Sequence, residues 1–276
     1  NFRQEGGLPQ ELLLGDATVL YYNGGNIFNG PHRAVAGRMF LNGAVFHGDA
    51  DLRRTASGVD YCTGGNIFHA HSRLTNDGPS AWYVNYSGTD LFHGDLTLTN
   101  SGGGFYFGGA TGNAVLSAGG LLTTGSAGFS SGVLSFRAFE QLGGGTHQLD
   151  LTAGATLIVR SPSVFNGTLL ATAPNVQLNG GVFNGLLDVT KNGAVANASS
   201  GGNVFNGPTT IRTTNAGYLY LASSVEDDYN ANVHFIRTGT GTLIVNYSRS
   251  STFAGDISTV GSTGTVSFGS GAGRTI

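Results

Sequence analysis

The sequence predicts an all-β protein, a parallel β-solenoid (β-helix) in which the chain winds into stacked coils. Three observations predict this fold. One aromatic motif recurs along the chain, its copies follow fixed spacings, and short alternating apolar runs are separated by Gly-, Asn- or Ser-rich breaks. At about 18–24 residues per coil, the 276 residues would form roughly 12 coils, since 276/22 is about 12.

The recurring motif places a large aromatic residue directly before a polar residue and a glycine. Its fullest copies occupy residues 24–30, 64–69 and 201–207, where Gly-Gly-Asn leads into the aromatic. We expect the aromatic side chains to point inward and to stack from coil to coil. They are Phe28, Phe46, Phe68, Phe92, Phe165, Phe183, Phe205, Tyr229 and Phe253. Asn29, Asn166, Asn184 and Asn206 follow four of them, and we expect a left-handed backbone turn there, favoured further by the next glycine.

The spacings between the motifs repeat. The interval from Phe28 to Phe46 is 18 and that from Phe46 to Phe68 is 22. The same two intervals separate Phe165, Phe183 and Phe205, at a shift of 165 − 28 = 137. A second match, between residues 84–87 and 245–248, has a shift of 245 − 84 = 161. The difference, 161 − 137 = 24, predicts one extra coil in the second half. Tyr229 marks that coil, because it lies midway between Phe205 and Phe253.

The same pattern predicts the domain organisation. Residues 1–11 are an irregular lead-in, and residues 12–276 are a single continuous solenoid segment. Within the segment, a repeat block at 20–107 precedes a less regular part at 108–164 and a second repeat block at 165–276. We expect one short helical turn at 137–142, and a break between two domains within 108–164 is the alternative. Because the pattern runs to the end without a polar cap, we expect the chain to be a piece of a longer protein.

Composition excludes several kinds of partner. Charged residues make up 11% of the chain, against about 25% in an average domain, and the net charge is −3. Binding to nucleic acid or to an anionic membrane surface is therefore not expected. Membrane insertion is not expected either, because no apolar run reaches the roughly 18 residues of a membrane-spanning helix. The single cysteine, Cys62, is predicted to be a small core residue.

Two rows of polar residues are weak metal candidates. His47, His69 and His93 would stack about 4.8 Å apart in consecutive coils, close enough for two imidazoles to share a metal ion. They occupy the motif position that asparagine takes elsewhere, which favours a polar turn ladder over a metal site. Asp49, Asp95 and Asp256 follow the motif glycine, but other copies carry proline, threonine or leucine there, so no continuous acidic row could bind calcium. No cofactor and no metal are expected.

The charged residues leave room for an enzyme hypothesis, because parallel β-helices also include polysaccharide lyases and hydrolases. The densest charged patch combines Arg53 and Arg54 with Asp49, Asp51 and Asp60, and a second acidic group lies at 226–228. Neither has a second partner that the sequence brings near it. Both are predicted to be surface loops, so no catalytic residue is assigned and enzymatic activity is not expected.

Residues 203–211 and the ending at 252–268 resemble repeats in very large secreted surface proteins of Bacteroidota, which the type IX secretion system exports. The resemblance covers roughly residues 20–107 and 165–276. It implies an extracellular position at the cell surface and an adhesin-like or surface-fibre role, and it carries no catalytic residues over to this chain.

The most consistent interpretation is a structural segment of a secreted cell-surface protein, a rigid stalk, adhesin or surface-fibre component. Its expected partners are neighbouring segments of the same long chain, and surface glycans or other cell-surface proteins. The alternatives are a carbohydrate-active β-helix enzyme and a glycan-binding module. A charged cleft would favour the enzyme, an exposed aromatic strip would favour glycan binding, and a flat threonine ladder would favour binding to ice.

Overall fold

The computed structural model describes residues 2–269, which form strands, turns and bends but no helix. Parallel stacked strands build a β-solenoid of about 11 turns with roughly 23 residues per coil. The all-β solenoid predicted from the motif spacing is confirmed, with a coil length inside the expected range and about 11 turns in place of the roughly 12 expected. The described chain divides into two compact units, the first ending at Gly145 and the second beginning at Thr146.

The first unit contains eighteen strands, most of them two to five residues long because a turn ends each face of a coil. They are β1 (Gln10–Leu13), β2 (Val19–Asn23), β3 (Ile27–Phe28), β4 (His32–Ala36), β5 (Arg38–Asn42), β6 (Val45–Phe46), β7 (Ala50–Arg54), β8 (Asp60–Tyr61), β9 (Ile67–Phe68), β10 (Ser72–Asn76), β11 (Trp82–Tyr83), β12 (Thr89–Phe92), β13 (Leu96–Asn100), β14 (Gly104–Phe107), β15 (Asn113–Leu116), β16 (Leu122–Phe129), β17 (Val133–Arg137) and β18 (Phe139–Gln141).

Each coil of the first unit has three faces. Face 1 is the parallel sheet β1-β4-β7-β10-β13-β16, and face 3 is the parallel sheet β3-β6-β9-β12-β15-β18. Face 2 consists of the pair β2-β5 and the sheet β8-β11-β14-β17. Order begins before the predicted boundary at residue 12, because β1 starts at Gln10 and Arg3 forms a parallel bridge with Ile27.

The second unit repeats the three faces with seventeen strands. They are β19 (Thr146–Asp150), β20 (Thr156–Arg160), β21 (Val164–Phe165), β22 (Thr168–Ala173), β23 (Asn175–Asn179), β24 (Val182–Phe183), β25 (Leu187–Lys191), β26 (Asn197–Ala198), β27 (Val204–Phe205), β28 (Thr209–Thr213), β29 (Leu219–Tyr220), β30 (Asp228–Tyr229), β31 (Val233–Arg237), β32 (Thr242–Val245), β33 (Thr252–Phe253), β34 (Ile257–Gly261) and β35 (Thr265–Phe268). Face 1 here is β19-β22-β25-β28-β31-β34, face 2 is β20-β23 with β26-β29-β32-β35, and face 3 is β21-β24-β27-β30-β33.

Alternation along each strand separates the core from the surface. On face 1, Leu52 pairs with Leu74 and Leu74 with Leu98, and all three are fully buried, whereas the residues between them are charged or hydroxylated and more exposed. This period of two is what a strand with one buried side requires. Each such leucine contributes about 1.5–3 kcal/mol through burial.

Long cationic side chains close the corner between face 1 and face 2. Arg54, Lys191 and Arg237 each end a face-1 strand and are almost completely buried. Arg54 Nη1 donates to Ser80 O at 2.9 Å, Lys191 Nζ to Gly193 O at 2.6 Å, and Arg237 Nε to Gly241 O at 2.9 Å. Backbone carbonyls that turn inward at a corner need a donor, and these side chains supply it.

The region predicted to be least regular is where the aromatic column changes. Leu116 follows Phe92 in register on face 3, and Gln141 follows Leu116. Phe136 and Phe139 occupy the core beside them, with ring centroids 4.8 Å apart. The regular spacing of the motif ends there because Phe136 and Phe139 fill the part of the core that a motif aromatic fills in other coils.

The expected helical turn at 137–142 is wrong. β17 ends at Arg137 and β18 begins at Phe139, and Ala138 between them has a φ of 55°. One residue in the left-handed region turns the chain from face 2 to face 3. The two phenylalanines at a helix-like spacing of three are therefore buried from two different faces.

The extra coil lies where the spacing places it. Tyr229 pairs in register with Phe205 on one side and with Phe253 on the other. On face 1 the same offset relates Thr209 to Val233. Residues 208–231 thus form one complete coil.

Deleting residues 208–231 should leave the second unit folded and one strand spacing shorter, about 4.8 Å. Gly207 would then continue into Asn232, and the register that joins Phe205 to Tyr229 would join it to Phe253. Deleting residues 208–219 is the control, because it joins unlike faces. We expect a cooperative thermal transition and β-type circular dichroism for the first variant and unfolding for the second. Equal unfolding of both variants would contradict coil modularity.

Candidate functional site

The motif aromatics form an internal column in each unit. Neighbouring ring centroids lie between 4.6 and 5.7 Å apart, with planes within 15° of parallel. The first unit contains Phe28, Phe46, Phe68 and Phe92, and the second contains Phe165, Phe183, Phe205, Tyr229 and Phe253. All are buried except Phe253, which is half-buried beside the last coil. These residues hold the coils together and are not accessible to a ligand.

The asparagines after the aromatics form an amide ladder. In the second unit, Asn184 Nδ2 donates to Asn166 Oδ1 at 2.6 Å, Asn206 Nδ2 to Asn184 Oδ1 at 2.7 Å, and Asn230 Nδ2 to Asn206 Oδ1 at 2.8 Å. The first unit starts its row with Asn29, whose side chain donates to Gln4 O. Each amide uses its donor and its acceptor on equivalent neighbours, so identical residues in register satisfy one another.

The left-handed turn expected at these asparagines is wrong. Among the described residues, the only residues other than glycine with positive φ are Ala138, Ala153, Ala222 and Asn246. The motif glycine is required by close approach: a Cβ on Gly207 would lie 2.1 Å from Gly185 O, and one on Gly185 would lie 2.2 Å from Gly167 O. The positive φ values belong to the glycines before the aromatic, as at Gly201 (90°) and Gly202 (76°).

The three histidines form an exposed stacked row. Ring centroids of His47 and His69 are 4.6 Å apart, those of His69 and His93 are 5.2 Å apart, and the planes are within 18° of parallel. A metal ion binds in the plane of an imidazole ring, and stacked rings aim their nitrogen lone pairs along parallel planes, away from a common point. Within residues 2–269, no three histidine, cysteine or acidic side chains are grouped so as to hold a metal ion.

Stacking also affects protonation of this row. The pKa of His69 is lowered by partial burial and then by the positive charges of His47 and His93 on either side. His93 Nδ1 lies 2.9 Å from Ser117 Oγ, which continues the polar row into the next coil. The histidines therefore belong to the same ladder as the asparagines.

The charged patch predicted around Arg53 and Arg54 is divided by the fold. Arg54 and Asp60 are completely buried and form an ion pair of 2.7 Å, so the surface-loop prediction is wrong for them. Asp60 also accepts from Arg38 Nε at 2.6 Å and from the backbone of Met39 at 3.0 Å. Arg53 points outward and pairs with Asp77 at 2.7 Å.

The outward side of face 1 in the first unit carries a charged groove. Glu11, Arg33, Asp51 and Arg73 occupy equivalent positions in four consecutive strands. Arg33 pairs with Glu11 and lies 3.9 Å from Asp51. They line a shallow groove of about 400 Å³, whose wall also includes Asp49 and His71. Along this row, positive and negative side chains alternate and largely neutralise one another. The groove is the feature of the first unit that corresponds to the charged cleft by which an enzyme would be favoured.

Two of the aspartates after the motif glycine, Asp49 and Asp95, cap backbone groups of the next coil. Asp49 Oδ1 accepts from His71 N at 3.2 Å, and Asp95 Oδ1 accepts from Leu121 N at 2.9 Å. The threonine row required for ice is interrupted in the second unit, where the aligned outward residues of face 1 are Thr172, Thr190, Arg212 and Ile236.

A buried Asn–Asp latch, which the sequence interpretation missed, occurs once in each unit. Asn66 donates through its backbone N and through Nδ2 to Asp90 Oδ1, both at 2.8 Å. Asn203 and Asp227 repeat the arrangement at 2.9 and 2.8 Å. Both asparagines are the third residue of a Gly-Gly-Asn motif, and the aspartate follows at the same offset in both, since 90 − 66 equals 227 − 203. That shared offset is the signal that could have identified the pair.

The latch aspartates are buried with one oxygen lacking a partner. Asp90 Oδ2 and Asp227 Oδ2 are buried and have no hydrogen bond among the described residues. Burial raises the pKa of Asp90 to about 7 and that of Asp227 to about 6. The surface loop predicted at 226–228 is therefore wrong for Asp227, although Glu226 is exposed. Asp228 is half-buried and accepts from Thr252 Oγ1 at 2.7 Å.

A row of tyrosines on the outside of face 2 was also missed. Tyr61, Tyr83 and Tyr106 occupy equivalent positions of β8, β11 and β14, and their ring centroids are 4.8 and 4.6 Å apart. Their nearly equal intervals along the chain, 83 − 61 = 22 and 106 − 83 = 23, could have revealed them. Tyr21 and Phe40 form a similar outward pair at 4.9 Å in β2 and β5. This is the exposed aromatic strip that a glycan-binding hypothesis requires.

Comparison with known proteins finds no family model, no curated protein and no solved structure that matches this chain. Residues 2–269 include no helix of the length and apolarity needed to cross a membrane.

The buried carboxyl of Asp90 predicts a pH-dependent stability. Its pKa is raised from 3.8 to about 7 in the folded chain, so the folded state binds this proton more tightly than the unfolded state does. The resulting contribution to the free energy of unfolding is fully present below about pH 3.8 and is lost as the pH rises through 7. Asp90→Asn keeps an acceptor for Asn66 and removes the titration. We expect wild type to lose stability relative to this variant between pH 4 and 7, by about 1.4 kcal/mol for each unit of pKa shift.

Urea unfolding at several pH values measures this difference. Asp95→Asn is the control, because Asp95 is an exposed aspartate in the turn that follows β12. Parallel stability profiles of wild type and Asp90→Asn between pH 4 and 7 would contradict a raised pKa at the latch.

Proposed function

We propose that this chain is a structural β-solenoid segment of a secreted cell-surface protein, serving as a rigid stalk or a surface-fibre component. The observation that carries the proposal is like-on-like stacking: aromatic on aromatic inside each unit, strand on strand along three faces, and at the turn histidine on histidine in the first unit and amide on amide in the second. Strand pairing continues where the aromatic column is interrupted, so contacts that resist bending recur along the stacked coils of each unit.

The residues invested in these contacts support a mechanical role. Chemically reactive side chains such as Asp60, Arg54, Asp227 and Cys62 are buried, where they satisfy the backbone or pack in the core. The exposed charges are few, and several are paired across strands. The proposed partners are neighbouring segments of the same long chain, and the resemblance to type IX-exported surface proteins supports a position outside the cell.

Surface exposure on living cells tests the location. An antiserum raised against this chain should label intact cells of the organism that produces it. Brief protease treatment of those cells should remove the signal while a cytoplasmic marker persists. Labelling that requires permeabilised cells would contradict the proposal, because a stalk or fibre must lie outside the cell.

The second candidate, a carbohydrate-active enzyme, is favoured by the charged groove on face 1. A stalk or fibre segment needs no catalytic turnover. We therefore expect that incubating this chain with polygalacturonate or xylan gives no new reducing ends and no unsaturated products. Turnover that Arg73→Ala abolishes and Arg160→Ala retains would reverse the assignment, because Arg73 lines the groove and Arg160 is exposed in the second unit. Arg54 is unsuitable as a probe, since it is a buried structural residue.

A further inference from the structure

The outward rings of face 2 in the first unit define an aromatic strip, made up of Tyr21, Phe40, Tyr61, Tyr83 and Tyr106 with Tyr86 beside it. All but Tyr86 alternate with buried residues along their strands, so they point away from the core. Tyr21 is 55% exposed and Tyr61 is 50% exposed, which is high for aromatic residues. A solvent-exposed series of large rings indicates a contact surface.

Tyr86 adds a ring that is turned across the strip. Its ring stands at 73° to Tyr61 and at 85° to Tyr83, with centroids 5.0 and 5.8 Å away. Those two rings are stacked on each other, so Tyr86 lies across their edges, and it is 37% exposed. The strip therefore presents a row of ring edges and hydroxyl groups, and the plane of the Tyr86 ring is nearly perpendicular to the planes of the Tyr61 and Tyr83 rings in that row.

The base of the strip is rigid. Trp82 lies beneath it, fully buried, with Nε1 3.2 Å from Cys62 Sγ. Asp60, adjacent to Tyr61, is fixed by Arg38 and by Arg54. The Arg38 guanidinium carbon lies 5.2 Å from the ring centre of Phe40. Rings held by a packed backbone lose little conformational freedom when a ligand binds.

The charge of the strip restricts its ligand. Arg38 is a charged side chain beside these rings, and its guanidinium already donates to Asp60 at 2.6 Å and to Val59 O at 3.0 Å. Asp60 is completely buried and offers a cationic ligand no accessible counter-charge, and an anionic ligand would have to share a guanidinium that is already engaged. Tyr21, Tyr61 and Tyr86 are 55%, 50% and 37% exposed, so their hydroxyls can reach an uncharged polar ligand as donors.

We propose that the aromatic strip binds an uncharged, extended glycan that lies along the coil stack. A sugar ring has an apolar C–H face and a rim of hydroxyls, and tyrosine offers an apolar ring with a polar tip. Within the pair Tyr21–Phe40 and within the row Tyr61–Tyr83–Tyr106 the rings repeat every 4.6 to 4.9 Å, comparable with one sugar residue of an extended chain, so neighbouring sugars can make equivalent contacts. This activity goes beyond the structural role and does not depend on it.

Binding to neutral and charged polysaccharides tests the inference. Titration calorimetry with cellohexaose, xylohexaose and chitohexaose should detect binding of at least one, and polygalacturonate should bind more weakly. Tyr61→Ala and Tyr86→Ala should each weaken binding by about tenfold, because each removes one of the side chains that the ligand contacts. Tyr218→Ala is the matched control, because Tyr218 is 44% exposed in the second unit, and it should leave the affinity unchanged.

Tyr86→Phe separates the ring from its hydroxyl, and it should retain most of the affinity that Tyr86→Ala loses. Circular dichroism and thermal melts of each variant establish that the unit remains folded. The inference would be overturned by no binding of the neutral hexasaccharides, by equal binding by the strip variants and wild type, or by preferential binding of polygalacturonate. Strip-dependent binding of a protein in place of every glycan would overturn it as well.

Discussion

The structure depends on one constraint: each residue lies next to its own counterpart in the following coil. Parallel pairing in register places equivalent side chains one strand spacing apart, so a residue has to be compatible with itself or with its replacement. Phenylalanine, asparagine, histidine and tyrosine meet this condition by stacking or by exchanging an amide hydrogen bond. Aspartate and arginine do not, which explains why Glu11, Arg33 and Asp51 alternate in sign along face 1.

The buried polar groups follow from the same constraint at the corners. A coil has to turn three times, and each turn leaves carbonyl and amide groups directed inward. The first corner is closed by Arg54, Lys191 or Arg237, and the corner before face 3 is closed by the Asn–Asp latch. These contacts replace the hydrogen bonds that a regular sheet would supply, although the latch leaves a carboxyl oxygen unpartnered. Polar burial in this chain therefore serves the fold.

Periodicity made the solenoid, the aromatic column and the added coil at Tyr229 predictable, because the chain has to return to the same position in every coil. The role of the motif glycine was not predictable. A glycine can be required by a left-handed φ or by close contact with a neighbouring backbone atom, as between Gly207 and Gly185 O, and the sequence does not distinguish these two reasons. The local density of charge around Arg54 suggested a surface patch. Inward or outward orientation depends on where a strand ends, and Arg54 lies at a corner. The row of Tyr61, Tyr83 and Tyr106 was overlooked because its members repeat without a glycine or asparagine beside them.

The burial of Lys191 has a consequence for how this chain can be handled. It is the single lysine of the sequence, it is 1% exposed, and its amine donates to Gly193 O. Burial also lowers its pKa to about 8. Amine-reactive crosslinkers and lysine-specific proteases consequently meet no accessible lysine side chain in the folded residues 2–269. Lys191 becomes accessible to these reagents only when the corner between face 1 and face 2 opens. The rate of its modification or cleavage would therefore measure local unfolding at this corner.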